Sequence, residues 1–411
     1  MDDNRQGSKR SEWNLWQLWG LWALVGFYAA AAAFAQSDPL PLTAELQVNQ
    51  FATGGQEAPR VAMSPTGVHV VVWSSPGQDG DGVGVILRRF PADGSAPFNE
   101  SVLNQSTTGD QGLSDIGMNA NGNWIAVWRN FAGGASVRGR AASNGGTTLG
   151  SEFEISQTTQ PVDGPAAART NDGGFVASWG ANVGVRFFDN SLQPVTGDIS
   201  PAPALSGIFR PRVAALPLAG SVVAMAAADN DVNGVFAQRF DAAGDPVGDL
   251  ITVPENESHD QKFAVVEAAA DGSFLIAWQD TPDGVRVRCF EADGTPRSAE
   301  IPVSGVSVSP EIAVSPGGAF VVTYSVTEVL AREFDRTCQP IGPEFLANTT
   351  TSGFQAGSAA AAGNDRFVIV WHSANLDGDG LGIARRIFRF RSIFSDNFES
   401  GDDGAWSNGS L

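Results

Sequence analysis

Histidine and cysteine are scarce, at three and two residues in 411. His69, His259 and His372 stand far apart, with no H-E-x-x-H or H-x-H spacing that would gather a metal ion. No G-x-S-x-G elbow and no phosphate-cradling glycine loop occurs, which removes the common serine-hydrolase and nucleotide-binding signatures. Basic side chains are also few: 25 Lys and Arg face 45 Asp and Glu, a formal charge of −20. Nucleic acid and anionic membrane surfaces repel such a body, so neither is expected as a partner. Beyond residue 35 no amphipathic helical pattern of any length is found. What is plentiful is apolar and turn-forming. The chain is 42% hydrophobic with 25 Phe and 11 Trp, enough for a buried core, and its 48 Gly and 23 Pro stay below the share that marks collagen or low-complexity disorder.

The first residues read as an export signal. Lys9 and Arg10 form a basic flank, an apolar run extends from Leu15 to Phe34, and Ala33-Phe34-Ala35 places small residues where a signal peptidase needs them. Residues 1–35 are expected to be a signal peptide cleaved before Gln36, an uncleaved anchor helix being the alternative. Cleavage leaves no membrane span, and the mature chain is expected to be secreted, periplasmic or at the cell surface. In such an oxidising compartment Cys289 and Cys338 can pair. Their spacing leaves a bridge and two separate buried thiols both open.

Internal self-similarity decides the expected fold. A turn residue is followed six positions later by a large aromatic: Gly67 to Trp73, Gly122 to Trp128, Gly173 to Trp179, Gly272 to Trp278 and Gly318 to Tyr324. Two copies are degenerate, Gly220 to Ala226 and Asp365 to Trp371, giving seven units with a period of about 50 residues. A second series (Gly84 to Phe90, Gly234 to Phe240, Gly284 to Phe290, Gly382 to Phe388) runs in step with the first. Each unit parses into four strands. The second strands, such as Phe274-Leu275-Ile276-Ala277-Trp278, are continuous apolar runs, which means both faces are covered. A radial array in which each small sheet is sandwiched between neighbours supplies that environment.

The expected fold class is therefore all-β, a seven-bladed β-propeller of four-stranded antiparallel blades spanning 44–393. Residues 36–43 are a linker and 394–411 an acidic C-terminal tail. The seventh unit lacks a fourth strand, and Ala44-Glu45-Leu46-Gln47-Val48-Asn49 is the spare segment expected to complete it and close the ring. Tandem immunoglobulin-like domains need twice this period, and an outer-membrane barrel needs longer alternating strands.

The repeat reads as P-x-V-A, D-G-x-F-V-V-x-W, D-G-D-G-x-G and R-R-F-D-A-x-G-x-P. It is seen in Pro59-Arg60-Val61-Ala62, Asp271-Gly272-Ser273-Phe274, Asp377-Gly378-Asp379-Gly380 and Arg239-Phe240-Asp241-Ala242-Ala243-Gly244. It resembles the propeller-type repeats of large secreted bacterial proteins, some of them calcium-binding and adhesin-like. The resemblance implies repeat type over about 45–393 and no single activity. The tail from Ile393 to Ser407 resembles a C-terminal signature of secreted bacterial proteins, and implies an export or sorting tag.

Candidate chemistry is thin. Three loops between second and third strands carry paired acids: Asp79 with Asp81, Asp229 with Asp231 and Asn233, and Asp377 with Asp379. Alternating carboxylates on a tight loop suit Ca²⁺, the one cofactor the sequence suggests. The same residues equally serve hairpin-loop geometry. The stretch from Asp229 is not an EF-hand, since Phe240 stands at its twelfth position. Arg89, Arg186, Arg239, Arg288, Arg332 and Arg386 recur once per unit near the end of the third strand, and such repetition suggests structural salt bridges. No catalytic residue is singled out. The leading expectation is a non-catalytic module for adhesion or carbohydrate binding, with a glycan or protein ligand. The alternative is a carbohydrate-active hydrolase or lyase with carboxylates in the central funnel. That alternative requires convergent, non-repeated acids with shifted pKa values, sought first in the irregular units two, three and six.

Overall fold

The structure, a computed structural model, describes residues 38–391 apart from 93–96, 133, 143–149, 158–161, 182, 218–219 and 230–231. The expected signal peptide and the acidic tail lie outside the described residues. Within 39–391 the chain forms seven small antiparallel sheets, each built from consecutive strands of one repeat. Blade 1 comprises Glu57–Met63, His69–Pro76, Val83–Phe90 and Ser101–Val102, from the innermost strand outward. Blade 3 has three laddered strands, Val162–Arg169, Phe175–Ala181 and Gly184–Phe188. Its fourth place is taken by the segment around Pro194 and Ile199, held through isolated bridges to Phe188 and Val185. Each innermost strand lies against the next, and that of blade 7 (Gln355–Ala362) against that of blade 1, so the ring is closed.

The seal is the one expected from the spare segment. Leu46–Gln47 pairs antiparallel with Leu381–Arg389, Leu46 opposite Arg385 and Gln47 opposite Ala384. Val48 N–H then donates to Ile383 O at 2.7 Å, and Ile383 N–H donates to the Asn49 amide oxygen at 2.8 Å.

Local chemistry explains the strands. The first turn of blade 1 is tight: Gly67 N–H donates to Ser64 O at 2.9 Å with Gly67 at φ 96°, a conformation that costs glycine little. Trp73, Trp128, Trp179, Trp278, Trp371 and Tyr324 are fully buried. Trp73 packs with Val368, Val370 and Ile383 of blade 7, so the repeated aromatic is inter-blade core. In blade 4 the equivalent residue is Met225 rather than Ala226. Gly220 already pairs with Asp241 within the strand, and face alternation then turns Met225 toward Val176 and Val185 of blade 3.

The recurrent arginines are structural: Arg288 pairs with Glu255 at 3.0 Å and Arg186 lies 4.0 Å from Asp198, and a backbone carbonyl is a further, more regular partner. Arg186, Arg288, Arg332 and Arg386 each donate to a backbone carbonyl of the preceding blade: Ile155, Val253, Pro302 and Ala347, at 2.7 to 3.0 Å. In blade 1 this is done by Arg88, to Val48 O, and not by Arg89. Blade 2 uses Arg140, to Leu103 O, while Arg239 binds Ala292 O instead. Acids contribute a second tie: Glu45 accepts from Thr349 and Thr350 N–H, and Glu152 from Gln105 and Ser106 N–H. Cys289 and Cys338 form a disulfide, Cα atoms 6.5 Å apart, joining blades 5 and 6.

Candidate functional site

The innermost strands surround a central cavity of about 300 Å³, and their sequences decide what lines it. Six of these strands carry a residue at positive φ where the register slips: Ala58, Leu113, Gly164, Arg210, Phe263 and Gly357. Such a bulge re-aims the side chains that follow it. Two residues on come Arg60, Asp115, Ala166, Arg212, Val265 and Ala359, which line the cavity together with Glu311 in the same register position. This is the variable x of P-x-V-A, read in each blade in turn. One layer of the ring therefore bears four charges, and they come from four different blades.

The next layer is quieter except at one point. Ala62, Gly117, Ala168, Ala214, Ala313 and Ala361 occupy the equivalent position in six blades, and Glu267 occupies it in blade 5. The small residues let the strands crowd together: a Cβ on Gly117 would lie 2.5 Å from Ala167 O. Glu267 is exposed and lines the cavity.

The charges are coupled. Arg60 Nη2 lies 3.3 Å from Glu311 Oε1, and Arg60 Nε 4.0 Å from Asp115 Oδ1. Arg212 Nη1 is 3.9 Å from Asp115 Oδ2, which also accepts the Ala167 N–H at 3.1 Å. Burial pushes the Asp115 carboxyl above its ordinary range, against the pull of Arg212 and Arg60. For Glu267 burial acts alone in the same direction as its neighbours. Desolvation first, then the negative charges of Asp115 and Glu311, push it up to about 8. At neutral pH Glu267 is thus a carboxylic acid able to give up a proton, close to carboxylates held by two guanidinium groups. A proton donor paired with an ionised carboxylate is what glycosidic cleavage requires. Among the described residues, no aromatic lines the cavity.

None of these residues was singled out from the sequence, although all four charges in the first layer sit in the x column of the repeat motif itself. Asp115 and Glu311 do fall in the irregular units two and six; Glu267 lies in unit five. The acids expected to hold calcium are elsewhere. Asp79 Oδ2 accepts from Asn104 Nδ2 at 2.7 Å, and Asp377 Oδ2 from Asn49 Nδ2 at 2.6 Å. Asp81 and Asp379 each accept a glycine N–H, from Gly109 and Gly54 respectively. Both loops are thus latched to the segment that leads into the next blade. Asn233 donates to Asp260 at 2.7 Å, Asp229 ends the second strand of blade 4, and Asp231 lies outside the described residues. Among the described residues the one cluster with metal-ligand proximity is His259, Asp280 and Asp283. Its donors are already engaged: His259 Nδ1 is 2.7 Å from Asp280, Asn256 meets Nε2 at 3.0 Å, and Arg286 pairs with Asp283 at 2.8 Å.

No family model and no curated protein matches the chain. Solved structures do. The GH93 α-L-arabinofuranosidase of Fusarium graminearum, seen with arabinobiose, is similar at TM-score 0.52 and 10% identity, over 84% of this chain and 98% of that one. A PL25 ulvan lyase is similar at TM-score 0.52 and 10% identity, over 82% and 95%. Raptor from Chaetomium thermophilum is similar at TM-score 0.53 and 10% identity, over 86% of this chain and 30% of its own. At such identity these likenesses establish the propeller fold and nothing finer.

Proposed function

We propose that the chain is an exported carbohydrate-active hydrolase or lyase working through carboxylates in its central cavity. The observation that carries this reading is Glu267, the single ionisable side chain in a ring otherwise made of alanine and glycine. A structural charge would recur from blade to blade, as the carbonyl-binding arginines do. Glu267 donates its proton to the leaving oxygen of the scissile bond. Glu311 and Asp115, set against Arg60 and Arg212, lie opposite the developing positive centre. In hydrolysis one of these carboxylates takes a proton from the water that bonds to the sugar carbon as the glycosidic bond breaks. Propeller neighbours that act on glycans support this reading better than the non-catalytic one. Export is supported by the Lys9-Arg10 flank, the apolar run and the Ala-x-Ala site.

The test is turnover of a panel of neutral and acidic polysaccharides by the mature chain and by Glu267→Gln. Cleavage of at least one substrate, lost in the variant, supports the proposal. A blank panel with retained glycan binding returns the protein to the binding-module reading. Calcium at the Asp79–Asp81 and Asp377–Asp379 loops belongs to the same proposal. A melting midpoint raised by calcium and lowered by a chelator supports it, and an unchanged midpoint removes it.

A further inference from the structure

The cavity holds a third arginine that the proposed chemistry does not use. Arg169, in the innermost strand of blade 3, is 6% exposed and lines the cavity one residue beyond the alanine layer. Its Nε and Nη1 make no hydrogen bond. Arg60 and Arg212 are each set against a carboxylate, whereas the nearest acid acting on Arg169 is Asp172, exposed beyond the end of the strand. Burying a guanidinium without partners is costly, since desolvation of a charge is not offset by hydrogen bonds within the fold. The equivalent position in the other blades is apolar: Met63, Met118, Ala215, Ala268, Val314 and Ala362. An arginine here meets no requirement of the ring.

We propose that Arg169 is the anion-binding group of this cavity, and that the glycan it accepts is acidic, bearing a carboxylate or a sulfate on the sugar bound there. A planar fork of N–H donors suits both groups, since each offers two oxygens to it. The two sources share this chemistry and differ in size and charge distribution. The proposal rests on the cavity being a glycan site, as argued above, and deepens that reading to a substrate class. The cavity volume, about 300 Å³, is at the small end of ligand pockets, consistent with one or two sugar units engaged at a time.

The test uses the mature chain, its Glu267→Gln variant to hold substrate uncleaved, and Arg169→Gln and Arg169→Lys in that background. The probes are an oligogalacturonate, a sulfated carrageenan oligosaccharide and a neutral arabino-oligosaccharide, with inorganic sulfate as the bare anion. Calorimetry should show binding of an acidic oligosaccharide weakened about ten- to a hundredfold by Arg169→Gln, with partial recovery in Arg169→Lys. The galacturonate and carrageenan arms say which anion is preferred. The unliganded Arg169→Gln protein should melt at the same temperature as its parent or higher, because an unpaired buried charge has been removed. A merely structural arginine would instead lower the midpoint and weaken all probes alike. Equal affinity for neutral and acidic oligosaccharides, unaffected by Arg169→Gln, overturns this inference and leaves the glycan reading standing. If no oligosaccharide binds, the glycan reading fails. Sulfate then decides the anion site alone: stabilisation of the parent but not of Arg169→Gln upholds it, and an equal response in both overturns it.

Discussion

The arginines of the third strands and those of the innermost strands follow different rules. Third-strand arginines recur in six blades and spend their donors on carbonyls of the preceding blade. Arg60, Arg169 and Arg212 of the innermost strands stand where other blades carry alanine, valine, methionine or an acid, and they line the cavity. The first group repeats because every blade must be fixed to its neighbour by the same geometry. The second does not repeat, because a ligand is asymmetric and meets each blade differently. Recurrence marks what holds the ring together, and departure from it marks what the ring presents.

The comparison is broken most directly at Glu267. Glu267→Gln is nearly isosteric and removes the titrating proton, so turnover should fall about 10²- to 10⁴-fold while the melting midpoint at neutral pH holds or rises. A parallel loss of stability would move Glu267 to the structural side. Reduction of Cys289–Cys338, or Cys289→Ser, should cost about 2–4 kcal/mol in denaturant unfolding, because the bridge ties blade 5 to blade 6 across 49 residues, and should leave glycan turnover intact. Arg386→Ala should cost about 1.5–3 kcal/mol by the same measurement, since it leaves Ala347 O unpaired beside the closing strand. Arg212→Ala in the cavity is expected to lower activity more than stability, the reverse of Arg386.

Much of the architecture was legible from residue order alone. The Gly-to-Trp spacing counted the blades, and the missing fourth strand of unit seven located the N-terminal closure at Leu46–Gln47. The shift from Ala226 to Met225 was not legible, because a degenerate repeat with no aromatic leaves its register to be set by strand pairing. The pairing of Cys289 with Cys338 could not be read either, since non-equivalent positions in adjacent blades approach only through blade geometry. The cavity acids were hidden for a different reason. They stand in the most regular motif of the chain, in the variable column of P-x-V-A and, for Glu267, in its alanine column. The conspicuous Asp-Gly loops lie apart from the cavity, and there Asp79 and Asp377 accept hydrogen bonds from asparagine amides. An alignment of the seven innermost strands against one another would have isolated Glu267 as the one acid in a column of small residues.

The last expected effect is a pH dependence of stability, and its sign separates the cavity from the frame. Glu267 is raised from 4.5 to about 8, and Glu333, buried against Arg391, from 4.5 to about 7. A carboxyl raised on folding stabilises the folded state fully below its unfolded pKa. That contribution is lost as pH climbs through the folded value. His69, lowered to about 3 by burial, acts oppositely: its neutral form becomes costless only above the ordinary histidine value of 6.5. Below pH 6.5 the terms compete, so the wild-type curve alone is ambiguous there; above it the glutamates act unopposed. The difference between wild type and Glu267→Gln cancels the histidine and Glu333 contributions. The denaturation midpoint of wild type, relative to the variant, should therefore decline steadily from pH 5 to pH 8.5. A flat difference would mean that Glu267 is ionised in the folded protein at neutral pH, and its assignment as proton donor would fall with it.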